Sequence, residues 1–132
     1  MWLALVLGGP VWAKVVHLGD GSAHVVVPQG WHVKREAHFE WVRYYVGSGT
    51  KTRLTILLAS DTDTRLGLRS KPYCLRGLRG LQSDENGITR QTLRLPLQDA
   101  LAGSVYFEYH TRDAEAASVA RSFRVDPVRR SC

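Results

Sequence analysis

Short turns between strand-like runs are the feature that most constrains the fold of this chain. The valine-rich runs 15–18 and 23–27 flank Gly19-Asp20-Gly21-Ser22, and the runs 38–46 and 53–59 flank Gly47-Ser48-Gly49-Thr50. Glycine-rich segments of this length between β-branched and aromatic runs are typical of β-hairpins. In 53–59 apolar residues occupy both alternating sets, which is typical of a central strand covered on two faces. The sequence therefore predicts an antiparallel sheet.

The second half of the chain predicts two more strands and a first helix. Alternating residues mark strands at 88–97 and 103–110. Ser70 caps helices well and Pro72 is tolerated in a first turn, which places the start of a helix there. The helical spacing of Cys74, Leu78 and Leu81 extends it to a point before Asn86-Gly87, although Gly77 and Gly80 count against it.

A second helix is predicted to follow Asp113, which is a favourable capping residue. Ala116, Val119, Ala120 and Phe123 come after it with the i, i+3, i+4, i+7 spacing of a buried helix face. At 132 residues the chain is long enough to form one domain with a continuous core. The predicted fold class is α+β: an antiparallel sheet of five to six strands with two helices packed on it.

The first thirteen residues carry no charge and resemble the apolar region of a secretory signal. The alternative is a first strand or helix buried in the domain. We predict a signal-peptide remnant at 1–13, a single domain at 14–126 and a tail at 127–132, in a periplasmic or secreted bacterial protein. The apolar segment is shorter than the roughly 20 residues that cross a bilayer, so no membrane span is predicted.

Cys74 and Cys132 are the only cysteines, the minimum for one disulfide. An oxidising compartment outside the cytoplasm favours a bridge between them. Two unconnected thiols remain the alternative, because Cys132 is the last residue and chain ends are commonly disordered. Neither cysteine lies in a redox or nucleophile motif, so thiol chemistry is not expected.

Residues 25–31, Val-Val-Val-Pro-Gln-Gly-Trp, resemble the strand and Pro-x-Gly-Trp segment that open proteins of the PsbP-like superfamily, which includes bacterial DcrB-like exported proteins. The similarity continues through 52–56 as a middle strand and 119–125 as a closing helix. It implies an antiparallel sheet flanked by helices and a non-enzymatic accessory or binding role. The strand pair before the last helix is shorter here than in that family, because Tyr109 and Asp113 nearly adjoin.

Positive charge exceeds negative charge by six, and arginine dominates it. The stretch 65–79 contains five cations and no acid, and it predicts a basic binding surface for an anionic partner made of Arg65, Arg69, Lys71, Arg76 and Arg79. No nucleic-acid-binding module is recognisable, so a nucleic acid is not the expected partner.

Histidine and glutamate recur two residues apart at His38 and Glu40 and again at Glu108 and His110. On strands, residues two apart share a face, so the four groups would converge into a metal or acid-base site if their strands were neighbours. A solvated cross-strand cluster explains the same pattern without chemistry. Trp31, Phe39, Trp41 and Tyr45 have two explanations as well, a ligand groove or the core.

The chain lacks the short motifs of serine hydrolases, nucleotide-binding loops and zinc proteases, and no cofactor is predicted. We therefore expect a non-enzymatic exported accessory or binding protein that holds a protein or an anionic envelope component. One alternative is a metal-dependent hydrolase built on the His/Glu cluster. Another is an immunity-type inhibitor of a secreted toxin.

Overall fold

The computed structural model describes residues 13–66, 69–95, 103–126 and 132, and these fold mostly into β-strands. The strands are β1 Ala13–Leu18, β2 Ala23–Pro28, β3 Trp31–Ala37, β4 Trp41–Ser48, β5 Lys51–Ala59, β6 Lys71–Leu75, β7 Leu78–Glu85, β8 Ile88–Arg94, β9 Ser104–His110 and β10 Arg124–Val125. The described residues contain one α-helix, α1 Ala114–Arg121, and a short 3-10 turn at Asp63–Arg65.

Seven strands form one antiparallel sheet in the order β3-β4-β5-β9-β8-β7-β6. β5 and β9 lie at its centre, as the apolar character of both faces of 53–59 predicts. The connection between β5 and β6 leads to the opposite edge of the sheet. It is anchored on the way by Thr62, a fully buried residue whose hydroxyl bonds the hydroxyls of Thr92 and Ser104.

The second sheet has three strands in the order β1-β2-β10, and together with α1 it covers one face of the larger sheet. The core lies between these layers. Its centre contains Phe107 of β9 and Phe123, whose rings meet edge to face with centroids 5.3 Å apart. Strands β5 and β9 supply the middle of the facing surface: Leu54, Ile56, Leu58, Val105, Phe107 and Tyr109.

The predicted fold class is wrong, because the segment that begins at Ser70 forms the hairpin β6–β7 and not a helix. Its turn requires left-handed backbone at Arg76 (φ 50°) and Gly77 (φ 83°), which is typical of a two-residue hairpin turn. Gly80 lies so close to the Thr92 backbone that a Cβ would collide with it. The glycines that weaken a helix are thus required by the hairpin. With one helix and ten strands in the described residues, the domain is mainly β.

The predicted second helix is confirmed as α1. The Asp113 carboxylate accepts a hydrogen bond from the Ala116 N–H at 3.1 Å, which caps the helix as the sequence suggests. Ala116, Val119 and Ala120 are buried and turn toward the core, as the spacing predicts. The hairpin of β1 and β2 is also confirmed.

The disulfide between Cys74 and Cys132 is confirmed, with the two Cα atoms 6.0 Å apart. It fixes the last residue of the chain to the edge strand β6. The predicted signal segment lies outside the described residues except for Ala13, which begins β1, and 127–131 of the predicted tail lie outside them as well. No helix among the described residues combines the length and the apolar character that crossing a membrane requires.

Candidate functional site

The four residues of the predicted metal or acid-base site do not converge. His38 and Glu40 lie in the turn before β4, because that strand begins only at Trp41 and not at His38 as predicted. Trp41 is level with Ala59 of β5 and with Ser104 at the start of β9, whereas His110 is at the far end of β9. Six residues of extended chain separate those levels by about 20 Å.

Each member of the two pairs has local partners instead. His38 Nε2 lies 3.0 Å from a carboxylate oxygen of Glu36. Glu108 accepts a hydrogen bond from the Tyr106 hydroxyl and lies 3.4 Å from the Arg90 guanidinium. Burial, and then the bond to this carboxylate, raise the pKa of Tyr106. Among the residues that the structure describes, no group of three or more His, Cys, Asp or Glu side chains is placed to hold a metal ion.

The predicted basic residues are all exposed, but they form an extended strip and not a pocket. Arg65 is in the 3-10 turn, where its guanidinium lies 5.9 Å from the centre of the Tyr106 ring. Arg76 occupies the β6–β7 turn, and Arg79 follows in β7. Lys71 begins β6 and pairs with Gln82, midway along the sheet, and Arg69 precedes it. The strip therefore follows the β6–β7 hairpin.

A second group of cations near Arg76 was not predicted. The Arg76 Nε donates a hydrogen bond to the Arg121 carbonyl at the end of α1, at 3.3 Å. Arg76 and Arg124 line a cavity of about 450 Å³ beside Cys132. The sequence could not reveal this grouping, since 45 residues separate Arg76 from Arg121 and only the fold brings them together.

The most exposed aromatic group of the described chain lies at the β3–β4 hairpin. We call it the β3–β4 cluster, and it consists of Glu36, His38, Phe39, Trp41, Arg43 and Tyr45. The His38 ring stacks on Trp41 with centroids 3.9 Å apart, and the Arg43 guanidinium lies 4.8 Å from the centre of the same Trp41 ring. Phe39 is at the apex of the turn and is fully exposed (101%). The four aromatic residues that the sequence grouped therefore lie in different places. Trp31 is buried in the core at 5% exposure, whereas Phe39, Trp41 and Tyr45 belong to the β3–β4 cluster.

The Glu36 carboxylate interacts with two polar groups of the β3–β4 cluster, the Tyr45 hydroxyl and the His38 ring. It accepts a 2.7 Å hydrogen bond from the Tyr45 hydroxyl, and this bond and the contact with His38 lower its pKa. Glu36 is therefore charged at neutral pH. Arg43 makes only a long hydrogen bond, 3.4 Å, to the Tyr45 hydroxyl oxygen. Arg43 is the cross-strand partner of Glu36, and its charge also lowers the Glu36 pKa. The salt bridges among the described residues nevertheless include none from Arg43, so its guanidinium keeps N–H donors for an external anion.

The β3–β4 turn and the β6–β7 turn lie at the same end of the seven-stranded sheet, at its two opposite edges. The register shows this, because Ala37, Leu58, Leu93 and Gly80 occupy one level and both turns follow beyond that level. The 3-10 turn lies over the face of the sheet near that end, since Thr62 bonds Thr92 and Ser104 and Arg65 lies over Tyr106. We call this end, with Phe39, Arg43, Arg65 and Arg76, the cationic end of the sheet. At the opposite end lie the β4–β5 turn and the segment after β9.

Comparison of the chain with protein-family models, with curated proteins and with solved structures gives no match. The candidate site is described by its own geometry: an exposed aromatic apex with Arg43 beside it at one edge of the sheet, and Arg65 and Arg76 farther along toward the other edge.

Proposed function

We propose that this chain is a non-enzymatic exported binding protein that holds an anionic component of the cell envelope against the cationic end of its sheet. The observation that carries the proposal is that three arginines at that end make no salt bridge within the described residues, although Glu36 lies opposite Arg43 on the neighbouring strand. Among the described residues, the salt bridges of arginine involve Arg53, Arg90 and Arg94, but not Arg43, Arg65 or Arg76.

The guanidinium groups at this end are suited to phosphate or carboxylate ligands. Arginine offers planar pairs of N–H donors that match the oxygens of these anions, and the bond is strengthened by its charge. Arg65 and Arg43 are held by aromatic rings, which restrict their motion without neutralising them. Three such groups, in β4, in the 3-10 turn and in the β6–β7 turn, suit a polymer or a surface better than a small ion.

The disulfide supports the exported part of the proposal. Cys74 is exposed on an edge strand, and a bridge at such a place persists in an oxidising compartment. The two alternative functions lack such support. The separated His/Glu pairs offer no support for a metal-dependent hydrolase, and no specific observation favours a toxin inhibitor.

The test compares two double variants of equal charge in binding long-chain polyphosphate. Arg65→Gln with Arg76→Gln removes two charges from the cationic end. Lys51→Gln with Arg112→Gln removes two exposed charges from the opposite end of the sheet. We expect the first variant to bind at least tenfold more weakly than the wild type, at about 1 kcal/mol per charge near an anionic surface, and the second to change little.

Binding should also weaken as salt is added, because exposed charges are screened. Both variants should stay folded with a melting temperature close to that of the wild type, since all four side chains are exposed and the contacts of Arg65 with Tyr106 and of Arg76 with the Arg121 carbonyl lie at the surface. Equal loss of affinity in the two double variants, or binding that is insensitive to salt, would contradict the proposal.

A further inference from the structure

A pair of histidines projects from the outward face of the small sheet. His17 of β1 and His24 of β2 are directly opposite each other in the register of the hairpin. Their ring centroids are 6.0 Å apart, and the ring planes are inclined by 61°. The residues that alternate with them, Leu18, Ala23 and Val25, are buried in the core. Both imidazoles therefore point away from the core on the same side of the sheet.

The ring nitrogens of this pair are available as ligands. Among the described residues, neither imidazole makes a hydrogen bond or a salt bridge, and the ring contact of each is with the other. His38 differs, because its Nε2 lies 3.0 Å from a Glu36 oxygen. His17 is exposed and His24 is half-buried, so neither is closed off from solvent.

The hairpin holds the two histidines in a fixed relation. At its turn the Gly21 N–H donates a 2.9 Å hydrogen bond to the Leu18 carbonyl. The Gly19 N–H donates a 2.8 Å hydrogen bond to the Tyr44 hydroxyl, which ties the turn to the large sheet. A ligand that binds both rings therefore requires only side-chain rotation, and little free energy is lost in ordering the backbone.

The spacing of the rings suits one divalent ion between them. Transition-metal ions bind imidazole nitrogens at about 2.0–2.1 Å, and each nitrogen lies about 1.1 Å from the centre of its ring. Two imidazoles on one ion therefore have ring centres no more than about 6.4 Å apart. The observed 6.0 Å lies within that limit, and rotation of the exposed His17 side chain shortens it to the spacing of a bent site.

Imidazole ligands select the class of metal. Cu²⁺, Ni²⁺ and Zn²⁺ bind neutral imidazole well, whereas Ca²⁺ and Mg²⁺ prefer oxygen ligands. Among the described residues, no third His, Cys, Asp or Glu completes the set. Water therefore fills the remaining coordination positions. Cu²⁺ is expected to bind most tightly of the three ions, in accordance with the general order of divalent metals.

The charges beside the pair are mixed. Arg124 of β10 is opposite His24 on the side away from His17, and its positive charge disfavours a cation there. Its side chain lines the cavity of about 450 Å³ next to the β6–β7 turn, and Asp126 lines the same cavity with the opposite charge. The affinity must therefore come from the two imidazole nitrogens and not from the surrounding field.

We propose that His17 and His24 form a binding site for one divalent transition-metal ion of the copper, nickel and zinc group. An ion bound there joins β1 to β2 and stabilises the folded hairpin, because the site exists only when the two strands are paired. The inference goes beyond the proposed function and does not depend on it, since neither histidine belongs to the cationic end of the large sheet.

The experiment measures the binding of Cu²⁺ to the full chain by isothermal titration calorimetry near neutral pH. His17→Ala and His24→Ala each remove one ligand. His32→Ala is the matched control, because His32 is exposed on β3 and its cross-strand partner Gly47 offers no ligand. We expect the first two variants to bind at least tenfold more weakly than the wild type, and the control to bind within about twofold of it. Every protein keeps residues 1–12, so any contribution of that segment cancels in the comparison.

A second measurement needs no variant. Cu²⁺ is paramagnetic and broadens the NMR signals of the protons nearest to it. Of the five histidines in the chain, we expect the ring signals of His17 and His24 to broaden first and together. Cu²⁺ should also raise the melting temperature of the wild type more than that of His17→Ala, because an ion that joins two strands binds the folded protein. Without metal the variants should melt with the wild type, since both side chains point away from the core.

The outcomes decide the inference by itself. If His17→Ala and His24→Ala bind Cu²⁺ as tightly as His32→Ala does, the pair is not the site and the inference is overturned. Broadening that reaches only one of the two rings, or that reaches all the histidine rings equally, would overturn it as well. Polyphosphate binding by the wild type is a separate measurement, so failure of the metal site leaves the proposed function unchanged.

Discussion

Two arginines on neighbouring strands lie over tryptophan rings at almost the same distance, yet they have opposite roles. Arg53 of β5 lies 4.5 Å from the centre of Trp31, and Arg43 of β4 lies 4.8 Å from the centre of Trp41. The contact between cation and ring is therefore the same in kind. What surrounds each pair decides whether it stabilises the fold or remains available to a partner.

The Arg53 pair is closed by acidic groups at the start of α1. The Asp113 carboxylate accepts two hydrogen bonds from the Arg53 guanidinium, at 2.9 and 2.7 Å, and Glu115 accepts a third at 3.1 Å. These bonds raise the pKa of Arg53. Arg53 reaches them because it is the extra residue of a β-bulge, where Val46 pairs with Leu54 but Gly47 pairs with Thr52.

The Arg43 pair is closed more loosely. Within the described residues Arg43 hydrogen-bonds the neutral Tyr45 hydroxyl, and its charge lowers the pKa of Glu36 opposite it without forming a salt bridge. The ring beneath it is half-buried. The comparison teaches that direct hydrogen bonds to carboxylates, and not the stacking itself, separate a structural arginine from one available for binding. Three predictions test that difference.

The largest effect is expected from the two tryptophans. Trp31→Ala should lower the free energy of unfolding by about 3–5 kcal/mol, because it opens a cavity in the core and removes the ring beneath Arg53. Trp41→Ala should cost less than about 1 kcal/mol, because the ring is only partly covered. Urea unfolding of the two variants measures the difference, and similar losses would show that the Trp41 ring is also structural.

The next effect concerns the arginines themselves. Arg53→Gln should cost about 2 kcal/mol, because the carboxylates of Asp113 and Glu115 lose charged hydrogen bonds while the side chain of Asp113 stays mostly covered (16% exposed). Arg43→Gln should change stability by less than about 0.5 kcal/mol and should weaken binding to long-chain polyphosphate instead. Thermal unfolding and polyphosphate binding, measured on both proteins, check that the two arginines have different roles. If Arg43→Gln lost as much stability as Arg53→Gln, Arg43 would also be a structural residue and the two arginines would not differ in role.

Much of the fold could be predicted because its signals are local. The hairpin of β1 and β2 follows from valine runs around a glycine turn, and α1 follows from Asp113 and the apolar spacing behind it. The β6–β7 hairpin was missed because Cys74, Leu78 and Leu81 have helical spacing by coincidence. Only Leu78 of the three is buried, and Arg76 adopts a left-handed backbone that arginine rarely takes.

The candidate site could be predicted only in its local part. Trp41, Arg43 and Tyr45 are two residues apart on one strand, so their common face follows from the sequence. Whether that face is covered depends on where the β5–β6 connection crosses the sheet, which no local signal reveals. The His/Glu cluster failed for the same reason, because shared parity says nothing about which strands are neighbours or which ends meet. The Arg53 contact with Asp113 could not be predicted from the sequence either, because 60 residues separate the two.

The smallest effect is the pH dependence of the closed pair. The hydrogen bonds from Arg53 hold the pKa of the Asp113 carboxyl below its ordinary value of 3.8. Since this pKa is lower in the folded protein than in the unfolded chain, the stabilisation is complete above the ordinary value and is lost as the pH falls through the folded-state pKa. The wild type should therefore lose more stability than Arg53→Gln on acidification from about pH 5 to about pH 2. In Arg43→Gln the acid loss should be closer to that of the wild type than in Arg53→Gln, because Arg43 does not touch Asp113 and is the weakest of the groups that lower the pKa of Glu36. Urea unfolding of the three proteins at each pH measures the losses, and an Arg53→Gln curve parallel to that of the wild type would show that Asp113 draws its stabilisation from the cap of α1 and not from the arginine.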